Sequence, residues 1–446
     1  MIARIWAFAA ALLLAAPAVA AARGIDKIDH ILVIYLENRS FDNLFGGFPG
    51  ANGLGNAGPA AIQVDLTGKP YATLPPAVNT SLKSPAVDTR FPVNLPNKPF
   101  AIDQYVPIDQ KTGDLWHLFY QEQMQINGGK MNMFAAASNA FGLAMGYYDG
   151  SKTALWDYAK RYVLADNFFH AAFGGSFLNH FWLICACTPK FPNAPPGMVA
   201  VVGANGWLIK DGQVTPDGYA VNTTQPIDKP YSASASDPNK RLPHQDMATI
   251  GDRLSAKRVS WAWYSGGWND AIAGHPHALF QYHHQPFGYF KKYADGTPGR
   301  AAHLKDEADM MKAIADGSLP AVAFYKPLGP ENEHPGYADV MTGDRKTVEV
   351  LRAVEASPLW ATTAVIITYD ENGGQWDHVA PPKGDRWGPG SRVPTLIISP
   401  FAKKGFVDHT QYDTTSILKF IEVRFGLKPL GPRDAKANDL THAFQF

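Results

Sequence analysis

Cysteine is almost missing from this chain: 446 residues include two, Cys185 and Cys187. One residue separates them, and side chains at that spacing diverge on a strand or a helix, so no disulfide is expected. They sit in an apolar run over 181–187 and read as buried thiols. Charge of one sign is missing as well. Lys and Arg number 40 and Asp and Glu 40, which removes the electrostatic case for nucleic acid or an anionic membrane surface as partner. Internal repeats and low-complexity tails are absent. Past the N-terminus no apolar stretch approaches the length of a membrane span, so no stable membrane insertion is expected.

The N-terminus is the exception. Arg4 is the sole charge in the first twenty residues, 5–14 is apolar, and Ala18-Val19-Ala20 forms a small-x-small cleavage pattern. These features read as a secretory signal peptide over 1–20, with an alternative cut after Ala22. A membrane anchor is the competing reading, for which the run is short. Export to a periplasm or beyond the cell is the expectation. Residues 21–446 are expected to form a single domain. The 46% hydrophobic content supplies a core, and 35 prolines with 40 glycines imply long connections.

Short apolar runs over 31–36, 162–165, 259–264, 321–325, 364–369 and 395–399 lack polar alternation. That is the mark of strands buried on both faces of a parallel sheet. Helical patterns lie between them over 155–161, after Ser176, and over 305–315, 346–355 and 415–424, the last behind the capping residues Asp413 and Thr414. The alternation predicts an α/β, three-layer sandwich with a mostly parallel central sheet. Two stretches rich in Pro, Asn, Asp and Gly, 49–107 and 188–242, read as excursions able to roof a cleft.

Chemistry gathers at the strand ends. The run 31–36 passes into Glu37-Asn38, 364–369 into Asp370-Glu371-Asn372, and 162–165 into Asp166-Asn167. Ligand sites of open parallel sheets lie outside the carboxyl ends of strands. Glu37, Asn38, Asp370 and Glu371 are therefore candidates to hold one divalent cation, and an all-oxygen set favours calcium, magnesium or manganese. The alternative is that each pair merely caps a turn. A second feature is Gly174-Gly175-Ser176, opening an apolar helix. Glycines allow a close backbone approach, and a helix N-terminus favours an anion. Ser176 is then either a nucleophile toward phosphorus or a simple N-cap. Histidines in probable loops supply the third feature: His117, the pair His283 and His284, and His334. Each could hold phosphoryl oxygens or pass a proton, or serve only packing.

Taken in order, Glu37-Asn38-Arg39-Ser40-Phe41-Asp42 with Phe45-Gly46, then Gly129-Lys130-Met131, Gly174-Gly175-Ser176, Glu333-His334-Pro335 and Tyr369-Asp370-Glu371 resemble a known family. So does the closing set Val393-Pro394, Ser399-Pro400, Gly405-Phe406-Val407, Tyr412-Asp413 and Arg433-Asp434. The family is that of acid phosphatase A and phosphatidylcholine-preferring phospholipase C. The resemblance spans almost all of the chain after its leader, and the Glu-Asn-Arg-Ser-Phe-Asp motif is its most specific part. It implies an alkaline-phosphatase-like fold with one divalent metal held by Glu37, Asn38, Asp370, Glu371 and the Ser176 oxygen. It further implies Ser176 as nucleophile, His117, His284 and His334 as phosphate-contacting and proton-transferring groups, and Asn179 as a further phosphate contact. Ser176 would form a phosphoserine that water then opens. Where the family's Gly-Lys-Met segment usually continues with Asp, Asn132 stands here.

Neither cysteine lies in a Cys-x-Pro-x-Arg setting, which sets a sulfatase aside. A phospholipase C and a non-catalytic phosphate- or lipid-binding exported protein remain as alternatives. The chain is charge-balanced and ends at Phe446 soon after its last helical pattern, without the extra C-terminal domains of larger phospholipases. Small soluble phosphate monoesters are therefore the expected substrates, ahead of diesters and lipids, with Trp261, Trp263 and Trp268 as candidate pocket walls. Oligomeric state and choice of metal are not legible.

Overall fold

The computed structural model describes residues 24–204 and 207–446. The leader expected over 1–20, with its alternative cut after Ala22, lies outside the described residues. Among those described, eight strands form one sheet. In chain order they are β1 (His30–Leu36), β2 (Val163–Ala165), β3 (Trp261–Ser265), β4 (Leu304–Asp306), β5 (Val322–Lys326), β6 (Thr363–Tyr369), β7 (Thr395–Ile398) and β8 (Phe406–Asp408). Across the sheet the order is β4-β3-β5-β1-β6-β7-β2-β8.

The strand β1 lies in the middle, parallel to β5 on one side and to β6 on the other, with Ile31 opposite Val322 and Ala364. Ile31 to Leu36 are all fully buried whichever face they point to, so both faces are covered, as the unalternated apolar run predicts. The pairs β3–β4, β3–β5 and β2–β8 are parallel too, whereas β7 runs antiparallel to both neighbours, β6 and β2. The sheet is mixed and mostly parallel, as expected.

The helices that matter here are α1 (Phe41–Phe45), α2 (Phe119–Ile126), α3 (Ala154–Arg161), α4 (Ser176–Cys185), α5 (Ile250–Ala256), α6 (Glu307–Ala315), α7 (Val340–Ala356) and α8 (Thr414–Phe425). Helix α4 packs with α5 and α8, while α7 packs with α3 and α6. Two helical layers thus enclose the sheet. The start of α6 departs from the helix expected over 305–315. Asp306 caps it, accepting from Ala308 N while Asp309 answers the Asp306 amide, and the residue before a cap is free to be strand. Leu304–Asp306 accordingly pairs with β3. The capping of α8 is as expected: Asp413 accepts from Thr415 N, and Ser416 completes the box.

The cysteines correct one expectation. Cys185 and Cys187 form a disulfide, with Cα atoms 5.1 Å apart. Divergence holds on a regular helix, but Ala186 leaves α4 in the left-handed conformation (φ 46°, ψ 40°) and folds Cys187 back toward Cys185. The two excursions are largely irregular, carrying short strand pairs at Val78–Asn79 with Ala86–Val87 and at Val201–Val202 with Leu208–Lys210.

Candidate functional site

Three adjacent strands, β5, β1 and β6, end side by side and deliver Lys326, Glu37 and Asp370 to one place. All three side chains are buried. Lys326 Nζ lies 3.0 Å from Glu37 Oε1 and 3.0 Å from Asp370 Oδ2. It also donates to the carbonyl of Leu36. Beyond Glu37 the backbone turns sharply, with Asn38 at φ 62°, a conformation Asn tolerates better than most residues. Its amide N–H donates to Asp370 Oδ1 at 3.3 Å. Gly373 lies against this turn. A Cβ there would come within 2.6 Å of the Asn38 carbonyl oxygen, so only glycine lets the two loops meet.

Ser176 is the first residue of α4, with Gly175 as N-cap. Its hydroxyl donates to Asn38 Oδ1 at 3.3 Å. The preceding glycines press this loop onto 117–119: a Cβ on Gly174 would meet Phe119 N at 2.5 Å, and one on Gly175 would meet His117 O at 2.8 Å. From α2, the buried Glu122 accepts from the amides of Gly174 (2.6 Å) and Ser391 (2.9 Å) and pairs with His170 at 2.8 Å. The loop that carries Ser176 is thus held from behind.

The imidazoles close the ring. His117 Nδ1–H donates to Leu115 O at 2.5 Å and His334 Nδ1–H to Pro335 O at 2.5 Å. Both Nε2 atoms are therefore turned inward. His117 Nε2 lies 3.4 Å from Asn38 Nδ2 and 3.9 Å from Glu371 Oε1, and His334 Nε2 lies 3.7 Å from Glu37 Oε2. His284 Nε2 pairs with Glu37 Oε1, and its carbonyl accepts the Trp263 indole N–H at 2.8 Å. Tyr337 donates to Glu37 Oε2 at 3.1 Å. These groups border a cleft of about 240 Å³, whose walls include His117, Ser176, Val221, His283, His334 and Tyr337. Val221 belongs to the second excursion, which contributes to the wall of the cleft.

The electrostatics call for a cation. Burial, then Asp370, pushes the Glu371 carboxyl well up. Burial also raises Asp370. Burial works the same way on Glu37, but the charges of His284 and Lys326 outweigh it and hold that carboxyl well below its usual range. Oε1 of Glu371 is buried with no hydrogen bond directed at it, a costly state that a bound cation would relieve. The donor set of carboxylate, amide and hydroxyl oxygens suits a hard divalent ion. Among the described residues, two further triads bring ligand atoms within 4.8 Å of one another. Asp114, His117 and His334 belong to the same cleft. Asp42, Asp377 and His378 are already matched by buried Arg392, whose Nε lies 2.8 Å from Asp377 and Nη2 3.3 Å from Asp42.

Of the residues singled out from the sequence, Glu37, Asn38, Ser176, Asp370, Glu371, His117, His284 and His334 are brought together. Asn179 is not. Its amide donates to the carbonyls of Ala172 and Gly174 (2.9 and 3.2 Å) while its oxygen accepts from Ala172 N at 2.9 Å. The side chain is fully buried and committed to the loop. The tryptophans are not pocket walls either. Trp261, Trp263 and Trp268 are buried, with Trp263 stacked on Phe324 and Trp261 on His303. Asp166 answers Asn52 N and His409 away from the cleft, and Asn132 bonds the Asn127 amide at 2.8 Å, a loop contact. Sequence reasoning missed Lys326, Tyr337, Asp114 and His180. Lys326 follows the same strand-end rule that found Glu37, and His180 lies one turn after Ser176, whose carbonyl its Nδ1–H bonds at 2.6 Å.

The Phosphoesterase family profile matches residues 28–428. The non-hemolytic phospholipase C of Pseudomonas aeruginosa is 26% identical over 97% of this chain and 59% of its own length. Phospholipase C B of Mycobacterium tuberculosis is 25% identical over 94% of this chain and 78% of its own. The chain spans about three fifths of the length of the first curated relatives it matches. A solved Vibrio parahaemolyticus structure from the alkaline phosphatase superfamily aligns over 74% of this chain and 73% of that one, at 9% identity and a TM-score of 0.37. No helix among the described residues is long and apolar enough to cross a membrane.

Proposed function

The chain belongs to the phosphoesterase family, and from that premise we propose that it is an exported, metal-dependent phosphoric ester hydrolase of the acid phosphatase type, acting through a phosphoserine at Ser176. One observation carries the reading. The Ser176 hydroxyl stands at a helix N-terminus, 3.3 Å from Asn38 Oδ1, in a cleft walled by Glu37, His117 and His334. Glu37, Asn38, Asp370, Glu371 and the Ser176 oxygen would hold one divalent ion, which when bound lowers the pKa of the coordinated hydroxyl and draws charge from phosphoryl oxygens.

The remaining work falls to the chain's own groups. Free amides at the start of α4 and the helix dipole face the oxygens that gain charge as Ser176 attacks phosphorus in line. The Nε2 atoms of His117 and His334, fixed by their Nδ1–H bonds to carbonyls, hold those oxygens and hand a proton to the departing alkoxide. His284, stacked on His180 with ring centroids 5.3 Å apart, orients Glu37. Water then opens the phosphoserine by the reverse set of proton transfers. A cleft of about 240 Å³ is smaller than the ~300–1,000 Å³ usual for drug-sized ligands and suits a phosphate with a short leaving group.

A phospholipase C is the second reading. It is supported by the relatives' names and by Trp116, 46% exposed beside His117, with Val201 and Ile209 exposed on the second excursion. Comparing kcat/KM for an aryl phosphate, a phosphocholine diester and phosphatidylcholine vesicles separates the two; a clear advantage for the vesicles favours the lipid enzyme. Ser176→Ala, folded, should lose orders of magnitude in kcat on every substrate. Activity within a few-fold of the parent would refute the nucleophile, and no turnover of any ester by the parent would leave a binding protein.

A further inference from the structure

The carboxylate cluster already contains a cation. Glu37, Asp370 and Glu371 supply three buried carboxyl groups. Lys326 Nζ sits between two of them, 3.0 Å from an oxygen of each. The lysine side chain has no exposure at all. It also donates to the Leu36 carbonyl, and its position is fixed by the ends of three adjacent strands. We propose that Lys326 is a built-in counter-ion that fills one of two cation positions in the cluster and so limits it to a single divalent ion. This rests on the metal reading above.

The argument is one of charge. Three carboxylates in a buried space repel one another strongly. With one ammonium among them the net charge is −2, which a single divalent ion neutralises; without it the net charge is −3, and a single divalent ion leaves an excess. Asp370 Oδ2, and Glu37 Oε1 with His284 as its remaining partner, would then be open to a second metal. Glu371 Oε1, which takes no part in this pairing, has no hydrogen-bond donor directed at it, which marks the position left for the first ion. Lys326 touches carboxylates and not substrate, and so is a positioning residue.

The test uses manganese(II) as probe, with the full chain freed of metal by dialysis. Binding is followed by calorimetry and by the electron paramagnetic resonance of the bound ion. The wild type and Lys326→Arg should bind one manganese per chain, with an uncoupled spectrum and no second ion at excess metal. Lys326→Met and Lys326→Gln should bind the first ion roughly tenfold tighter and take a second, giving the spectrum of two coupled ions. Two variants guard against one failing to fold, and the wild-type count needs neither. One ion per chain in both neutral variants, at unchanged or weaker affinity, would overturn the inference and leave the metal reading intact. Two ions in the wild type would do the same. No manganese in the wild type would overturn the metal reading and this inference with it.

Discussion

Glu333 offers a test of how the site's surroundings are tuned. It precedes His334, with backbone φ 75°. Its carboxyl is buried, accepts one hydrogen bond, from Tyr369 OH at 2.7 Å, and leaves Oε1 without a partner. Burial pushes its pKa up to about 8 from 4.5. A carboxyl raised in the folded state keeps its proton there while the unfolded chain gives it up. The folded state therefore binds more protons between these pKa values. Stability from this group is fully present below about pH 4.5 and is lost as pH rises through 8. At ~1.4 kcal/mol per unit, the loss between pH 5 and pH 7 is about 2.5 kcal/mol. Glu333→Gln has no such ionisation. It can still accept from Tyr369, and whatever its amide costs is the same at both pH values. With an unfolding entropy of ~2.1 cal/mol/K per residue over 446 residues, the variant's Tm relative to the wild type should rise by roughly 3 °C from pH 5 to pH 7. Scanning calorimetry of both proteins at matched metal and salt measures it. Parallel Tm–pH curves would refute the reasoning, since they would mean that Glu333 ionises alike in both states.

Three further outcomes are expected. Thorough chelation, or Glu371→Gln, should lower both activity and Tm, because the remaining carboxylates lose the cation that offsets their repulsion; active protein free of divalent metal by elemental analysis would count against this. Hydrolysis should peak below neutrality, because an imidazole that must carry a proton to the alkoxide is charged only as pH falls; burial lowers the pKa of His284 as well, so the charge beside Glu37 builds up in the same direction. A rate still climbing beyond pH 8 would contradict the histidine roles. Asn179→Ala should cut kcat by about 10²-fold, through a displaced Ser176 loop, while the inhibition constant for inorganic phosphate stays put; weaker phosphate inhibition with kcat intact would restore Asn179 as a phosphate contact.

Six of the eight central strands were legible because double-sided burial leaves an unalternated apolar run. The two that escaped, Leu304–Asp306 and Phe406–Asp408, are three-residue pieces at the sheet edges that end in Asp and so leave no apolar run. Most of the site was legible for a related reason: a sheet gathers the residues that follow its strands, and Glu37 and Asp370 do so. Lys326 obeys the same rule but ends its strand with a residue that usually seeks solvent, so its burial is visible only in three dimensions. Asn179 came from the resemblance alone, and no local pattern shows that the loop carbonyls of Ala172 and Gly174 take up its amide. The disulfide escaped because nothing local announces that Ala186 leaves the helix. Arg392 is a subtler case. It lies just before β7, the one reversed strand among the eight, so it reaches the same edge of the sheet as residues that follow the others.

The position of β1 also has a kinetic consequence. The first strand of the described chain is the middle strand of the sheet, and its neighbours start at Val322 and Thr363. Ile31 meets Val322 and Ala364, so closing either pair joins residues about three hundred positions apart, at a chain-entropy cost of ~5 kcal/mol. Until β5 and β6 are available, His30–Leu36 is an apolar segment with no ladder to join, the kind of segment that associates with other chains when folding is slow. Glu37 and Asp370 meet only when that closure is made. Catalytic competence should therefore be among the last properties a refolding chain acquires, well after bulk helix content returns.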